Sequence, residues 1–310
     1  MKTRFSLRTA LLAGFVVALT LRAPAAQTDS APAPVPDART TAPLNAPTDG
    51  EIRVAVLLSA SAEVVDFAGP WGVFDYVYVD GRSPRKVFKL YTVAATKDPV
   101  NVSSGMIIVP SYTFADAPAP HVIVIPAMDT DALAPAALDW LRAAMKKTDV
   151  TMSVCNGSFV LAKAGLLDGK KATAHHGGFG SMRAEFPQVN LIRGVRYVED
   201  GKIATAGGLT SGTDLALRVV ERYFGREVAK ETAFRLEYQG TGWMHPESNA
   251  EFAKKVVATP GHPVCPVCEM RLSKPPGALS FSYKGEKHYF CGEWCKDHFV
   301  AKPERFLAGL

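Results

Sequence analysis

The 310-residue chain lacks the common nucleotide-binding devices: no G-x-G-x-x-G follows a strand, and there is no phosphate loop. No unit recurs at a fixed period, so a solenoid or propeller is excluded. Long apolar runs are missing too. Ala10 to Leu21 falls short of the roughly 20 residues that cross a bilayer comfortably. It follows Lys2, Arg4 and Arg8 and precedes Ala23-Pro24-Ala25, an A-x-A cleavage site. Residues 1–25 therefore read as a secretory signal peptide, and the expected address is periplasmic or otherwise exported. No stable membrane span is expected after cleavage. No cysteine follows the cleavage point, which argues against a lipoprotein.

A basic field is also missing. The formal net charge of +5 falls to +1 once Lys2, Arg4, Arg8 and Arg22 leave with the signal, because no acid leaves with them. Nothing remains to attract a nucleic acid, and none is expected as a partner. Cysteine is scarce, with five in the chain. Cys155 stands alone, while Cys265, Cys268, Cys291 and Cys295 cluster in the tail. In an exported protein each requires a chemical account.

What is present is ordinary for a globular protein, with 47% hydrophobic and 21% charged residues and room for about two domains. Residues 26–50, rich in Ala, Pro and Thr, read as a disordered linker. Mostly apolar runs at Ile52–Leu58, His121–Pro126 and Thr151–Val154, with a weaker one at Phe88–Ala95, predict strands buried on both faces. Helical patterns fall between and after them, at Gly69–Val79, Ala136–Lys147, Ser158–Leu167, Thr213–Phe224 and Glu227–Tyr238. Such alternation predicts an α/β domain over 51–240, a flavodoxin-like parallel sheet sandwiched by helices. Ser103–Val109 and Gly194–Ala206 look like antiparallel pieces beside that sheet. Sites in such sheets form at the carboxyl ends of the strands.

Cys155 stands at one of those ends. Thr151–Val154 is strand-like, and Asn156-Gly157-Ser158 turns into an amphipathic helix, the geometry of a nucleophile elbow with cysteine in place of serine. Unpaired N–H groups at a helix N-terminus favour an anion there, which biases a thiol toward thiolate. A buried cysteine filling a small core site is the alternative. Asp66, read by itself, is an N-cap candidate for a helix beginning near Pro70.

The ordered set Val65-Asp66-Phe67-Ala68-Gly69-Pro70, Ser103-Ser104-Gly105, Phe114-Ala115-Asp116, Ser153-Val154-Cys155-Asn156-Gly157-Ser158, Ala164 to Lys170, His175 and Ser211-Gly212-Thr213-Asp214 resembles the ThiJ/PfpI superfamily. That superfamily has a class I glutamine amidotransferase-like fold. The branch it resembles most contains isonitrile hydratase and the amidotransferase-like domains of some helix-turn-helix regulators. The resemblance implies that Cys155 is the nucleophile and Asp66 its proton partner. It also implies that N–H groups at Ala127 and Asn156 hold developing charge, that His175 lies near the thiol, and that the protein is a homodimer. Asp214 reads as a capping or packing residue. Two departures stand out. Asn156 replaces the histidine that follows the cysteine in peptidase-like members, so a Cys-His protease is disfavoured. Pro126-Ala127-Met128 replaces Pro-Gly-Gly, and Met128 narrows the pocket.

After a linker with a short helical pattern over 241–262, residues 263–310 hold C-x-x-C and then C-x-x-x-C, a strong pattern for one tetrahedral ion on Cys265, Cys268, Cys291 and Cys295. Two disulfides are the alternative. The segment resembles the YHS domain, a small metal-associated module related to the TRASH domain, although Glu269 stands where that family usually has glycine. Four thiolates suit zinc and also Cu(I). His288 or His298 could replace a cysteine in the shell. Two functions follow. In one, an exported enzyme uses Cys155 and Asp66 on a small-molecule electrophile such as an isonitrile or a reactive carbonyl. In the other, a non-enzymatic envelope protein senses redox state or handles a soft metal ion.

Overall fold

A computed structural model describes residues 42–47, 50–81, 87–273 and 279–307. The signal peptide predicted over 1–25 lies outside the described residues. Among those described, no helix is long and apolar enough to cross a membrane.

The chain begins with β1 (Ile52–Leu57) and α1 (Val64–Asp75), then β2 (Phe88–Ala94), a small antiparallel ribbon β3 (Val100–Asn101) and β4 (Ile107–Ile108), and β5 (Tyr112–Thr113). It continues through β6 (Val122–Ile125), α2 (Pro135–Met145), β7 (Val150–Ser153) and α3 (Ser158–Lys163). Next come β8 (Lys171–Ala172), α4 (Phe179–Glu185), β9 (Asn190–Leu191), β10 (Tyr197–Asp200) and β11 (Ile203–Ala206). Helices α5 (Ser211–Phe224) and α6 (Arg226–Arg235) complete the α/β part. The tail adds β12 (Ser280–Tyr283), β13 (Glu286–Tyr289), α7 (Glu293–Ala301) and α8 (Pro303–Leu307).

Seven strands form one sheet in the order β10-β11-β7-β6-β1-β2-β5. All neighbours run parallel except β10, which is antiparallel to β11. Gly194–Ala206 is thus part of the main sheet rather than a piece beside it, because β11 pairs directly with β7. The period-two alternation of strands sorts the core. Val54, Val56, Val122, Val124 and Met152 face α1 and α5, while Ala55, Leu57, Ile123 and Ile125 face α2 and α3. Register then does the work of assembly. Ile125 lies opposite Ser153, so the chain leaves β6 at Pro126-Ala127 and β7 at Val154-Cys155 side by side.

Three stretches differ from expectation. Helix α1 starts at Val64 and runs through Pro70, so Asp66 is inside the helix and is not an N-cap. Asp66, Phe67, Pro70, Val73 and Phe74 form one buried face, and that face outweighs the missing proline N–H. Helix α3 stops at Lys163 instead of Leu167, with Gly165 beyond it at φ +70° providing the left-handed turn that L side chains resist. Within the predicted disordered linker, 42–47 is ordered: Leu44 N–H donates to Arg222 O at 2.8 Å, and Leu44 and Ala46 pack on the core. The short helical pattern in the 241–262 linker is a 3-10 turn at Pro246–Ala253, and that segment packs on the α/β domain, with Pro246 O accepting from the Arg196 N–H at 2.6 Å.

The tail builds its own small core from Cys265, Val267, Cys268, Leu272, Phe290, Cys295, Phe299 and Phe306. It docks on α4, whose Ala184 joins that core.

Candidate active site and metal centre

Cys155 is the second residue after β7, following Val154, and adopts φ +58°, a left-handed conformation rare outside glycine. Strain of this kind, held by its surroundings, is what a nucleophile elbow requires. Its N–H donates to Gly207 O at 2.8 Å, which ties the elbow to the end of β11. Gly157 is the enabling residue. A Cβ there would sit 2.2 Å from Ile125 O and 2.8 Å from Pro126 O, so only glycine lets α3 start so close to β6. Gly157→Ala is expected to lower unfolding free energy by about 1–3 kcal/mol through overpacking, measurable as a reduced urea midpoint.

Asp66 comes from the first turn of α1 and is wholly buried. Its Oδ2 accepts the Ala127 N–H at 2.9 Å, and Oδ1 is buried with no partner of good geometry. The Cys155 thiol stands close enough to help hold the carboxylate's charge. Burial raises the Asp66 pKa to about 7, against the pull of the Ala127 N–H, and the nearby Glu63 carboxylate adds to the rise. Burial also pushes the Cys155 thiol up, to about 12, with Asp66 contributing further. The N–H groups of Asn156 and Leu209 point at the sulfur and pull the other way.

Two expectations are corrected here. The resting thiol is not biased toward thiolate, because desolvation of this buried residue beside a carboxylate outweighs a short helix start. The Ala127 N–H is not free to hold substrate charge, since it is committed to Asp66. In its place the structure brings in Leu209, which the sequence reading missed. Leu209 has φ +38°, in the turn between β11 and α5. The run Gly207-Gly208-Leu209-Thr210-Ser211-Gly212, a small-residue turn at a third strand end, was the available signal.

His175 packs against Gly208, the neighbour of Leu209, and makes no hydrogen bond to the thiol among the described residues. Its Nδ1 accepts the Gly177 N–H at 3.1 Å, its ring covers Gly208, and burial together with His176 lowers its pKa, which keeps it neutral. Asp214 is structural: its carboxylate is buried, accepts from Arg196 Nε at 2.6 Å and from Tyr238 OH at 3.0 Å. A cavity of about 340 Å³ opens beside the elbow, lined by Met128, Asn156, Phe159 and Trp294 among others. A second, of about 220 Å³, lies against His175, His176 and Leu209.

This arrangement of elbow and carboxyl at the strand ends coincides with a family match, as residues 52–222 fit the DJ-1/PfpI family. The chain belongs to that family. It is 30% identical over 195 residues to isonitrile hydratase of Pseudomonas putida, covering 60% of this chain and 78% of that protein. It is 27% identical over 158 residues to the HTH-type transcriptional regulator CdhR of Pseudomonas aeruginosa, covering 50% of this chain and 46% of the regulator. The crystal structure of a ThiJ/PfpI family protein from Pseudomonas syringae superposes with a TM-score of 0.55 at 24% identity, over 73% of this chain and 98% of that one. The fold is therefore that of the DJ-1/PfpI domain.

Residues 264–309 match the YHS domain. There the Sγ atoms of Cys265, Cys268, Cys291 and Cys295 all lie within 4.8 Å of one another. Tetrahedral thiolates with bonds of about 2.3 Å to one ion are about 3.8 Å apart, so the set fits a single metal. The Cys268–Cys291 and Cys291–Cys295 sulfurs are 3.4 Å apart, beyond the roughly 2.05 Å of a disulfide. Neither histidine joins the cluster. His288 lies against Phe299 at 4.9 Å between ring centroids, and His298 stacks on Trp294 at 3.7 Å.

Glu269 is the other residue whose role was not foreseen. It holds the φ +59° position where glycine is usual, and its buried carboxylate pairs with Arg193 at 2.5 Å and Arg183 at 3.3 Å in the α/β domain. A glycine at that position would offer neither guanidinium group a partner.

Proposed function

We propose that the protein is an exported hydratase-like enzyme in which Cys155 attacks a small uncharged electrophile, an isonitrile or a reactive carbonyl, with Asp66 carrying the proton. The observation that carries this reading is the buried Asp66 carboxyl beside a strained elbow thiol, with the Asn156 and Leu209 N–H groups aimed at the sulfur. On an isonitrile the steps balance without a redox partner. The Asp66 carboxylate takes the thiol proton as the S–C bond forms to the terminal carbon, then delivers that proton to the same carbon, leaving a thioimidate. Water adds to this carbon, the C–S bond breaks, and the N-substituted formamide departs with the thiol restored. The two N–H groups stabilise sulfur as its charge develops and again as it leaves. The tail is proposed to hold a zinc or copper ion on its four cysteines. When bound, that ion supplies a structural cross-link among soft ligands.

The test is formation of formamide from a panel of isonitriles, with 2-oxoaldehydes alongside, in wild type and Cys155→Ala. Turnover that vanishes in the variant supports the reading. Equal, negligible turnover in both favours the second reading, a redox- or metal-responsive envelope protein. That reading draws on the deep burial of Cys155 and on Met128 in the pocket wall.

A further inference from the structure

The 340 Å³ cavity beside the elbow is not built by the α/β domain alone. Met128 to Asp131 come from the loop after β6, Asn156 and Phe159 from the elbow and α3, and the remaining wall is Trp294 of the tail. Trp294 lies between Cys291 and Cys295 on the first turn of α7, so two of the four clustered thiols flank it in the chain. Trp294 is 51% exposed as a residue, and its ring stacks on His298, one turn further along the helix.

Several contacts fix the tail in that position. Glu269 is paired with Arg183 and Arg193. Gly180 lets Val267 O approach so closely that a Cβ would meet it at 2.3 Å, and Ser181 Oγ donates to the same oxygen at 3.4 Å. Glu269 follows Cys268 directly, so the ion pair and the thiol cluster are anchored in the same turn.

We propose that the metal module is the outer wall of the substrate pocket: Trp294 walls the cavity that reaches Asn156, the residue next to Cys155, and Glu269 fastens the module so that the thiol cluster holds Trp294 in place. This rests on the reading of Cys155 as the nucleophile and narrows its substrate. The walls Met128, Phe159 and Trp294 suit a planar or aliphatic uncharged body, and Asp129 on the same rim disfavours an anion, Asp131 being paired with Lys163 at 3.0 Å. Trp294 is thus a specificity-determining residue contributed by a domain that does no chemistry.

The experiment is iodoacetamide modification of the full-length, metal-loaded protein, read by mass spectrometry on the peptide carrying Cys155 so that tail thiols do not interfere. Cys155 is expected to react at least 10-fold faster in Trp294→Ala and in Glu269→Gly, while Trp294→Phe keeps the slow rate. Removing metal from wild type with a chelator is expected to raise the rate to a similar extent. Metal content is measured on each variant. A Cys155 rate in Trp294→Ala within twofold of wild type overturns the proposal. So does acceleration that Trp294→Phe shares and that tracks loss of metal, since that would be general loosening of the tail. The readout needs no turnover. Faster labelling with no isonitrile hydration would keep the wall and discard the hydratase reading, and hydration with unchanged labelling would do the reverse.

Discussion

Asp66→Asn is expected to reduce isonitrile turnover by about 10²–10⁴-fold, the range for losing a general acid–base group, while making the Cys155 thiol easier to ionise. Asparagine keeps the shape and can still accept the Ala127 N–H, so the elbow should stay in place. The negative charge that helps push the thiol up to about 12 is gone, which leaves burial opposed by the Asn156 and Leu209 N–H groups. Alkylation of Cys155 around pH 9 should therefore speed up as catalysis slows. A merely structural Asp66 would move both rates in the same direction. Loss of alkylation and turnover together would count against the proton-transfer role.

The same substitution has a stability signature. The Asp66 pKa is raised in the folded protein to about 7 from an ordinary 3.8, so the folded state binds the proton more tightly than the unfolded one. Ionised Asp66 thus destabilises the fold above about pH 7, and that penalty is relieved as pH falls through 7 toward 4. Asp66→Asn carries no such charge. Its stability relative to wild type should be highest near pH 8 and decline toward pH 4, in urea denaturation at each pH. A flat difference would mean that the carboxyl titrates as it does in the unfolded chain.

The parts of the molecule that were legible in the sequence are those set by local patterning. The buried runs at β1, β6 and β7 announce themselves through mostly apolar residues, unbroken in β6, interrupted by Arg53 in β1 and by the small hydroxyls Thr151 and Ser153 in β7, and their alternation with helices predicts the parallel sheet. The elbow was legible because a lone cysteine stands between such a run and a glycine turn. What was not legible depends on partners distant in sequence. Asp66 looked like a cap because Pro70 resembles a helix start, and only the burial of Phe67, Val73 and Phe74 carries the helix through it. The Ala127 N–H could be assigned to substrate only until the carboxyl 61 residues earlier was seen to occupy it. Leu209 reaches the sulfur through the β11–β7 register, which no local pattern encodes. Glu269 looked like a minor departure from glycine until Arg183 and Arg193 were found facing it.

Removing the metal is expected to have the largest structural effect, confined to the tail. A module of this size buries little. Its core is Val267, Leu272, Phe290, Phe299 and Phe306 around three buried cysteines, and small domains of this kind need a staple. Structural zinc sites in comparable modules contribute about 10–16 kcal/mol of apparent binding energy, more than such a core supplies. Chelation, or Cys268→Ser, should therefore abolish amide exchange protection over β12, β13 and α7 while β1, β6 and β7 stay protected. Hydrogen exchange followed by peptide mass spectrometry reads both regions in one experiment, and elemental analysis of the protein purified from its native host names the ion. Cys268→Ser should act more strongly than Glu269→Gly, since the first breaks the staple and the second only frees a folded module from Arg183 and Arg193. A tail that keeps its protection without metal would show that the Phe299 ring cluster and the α4 contact suffice. The four sulfurs would then be free to pass an ion on rather than to hold the fold together.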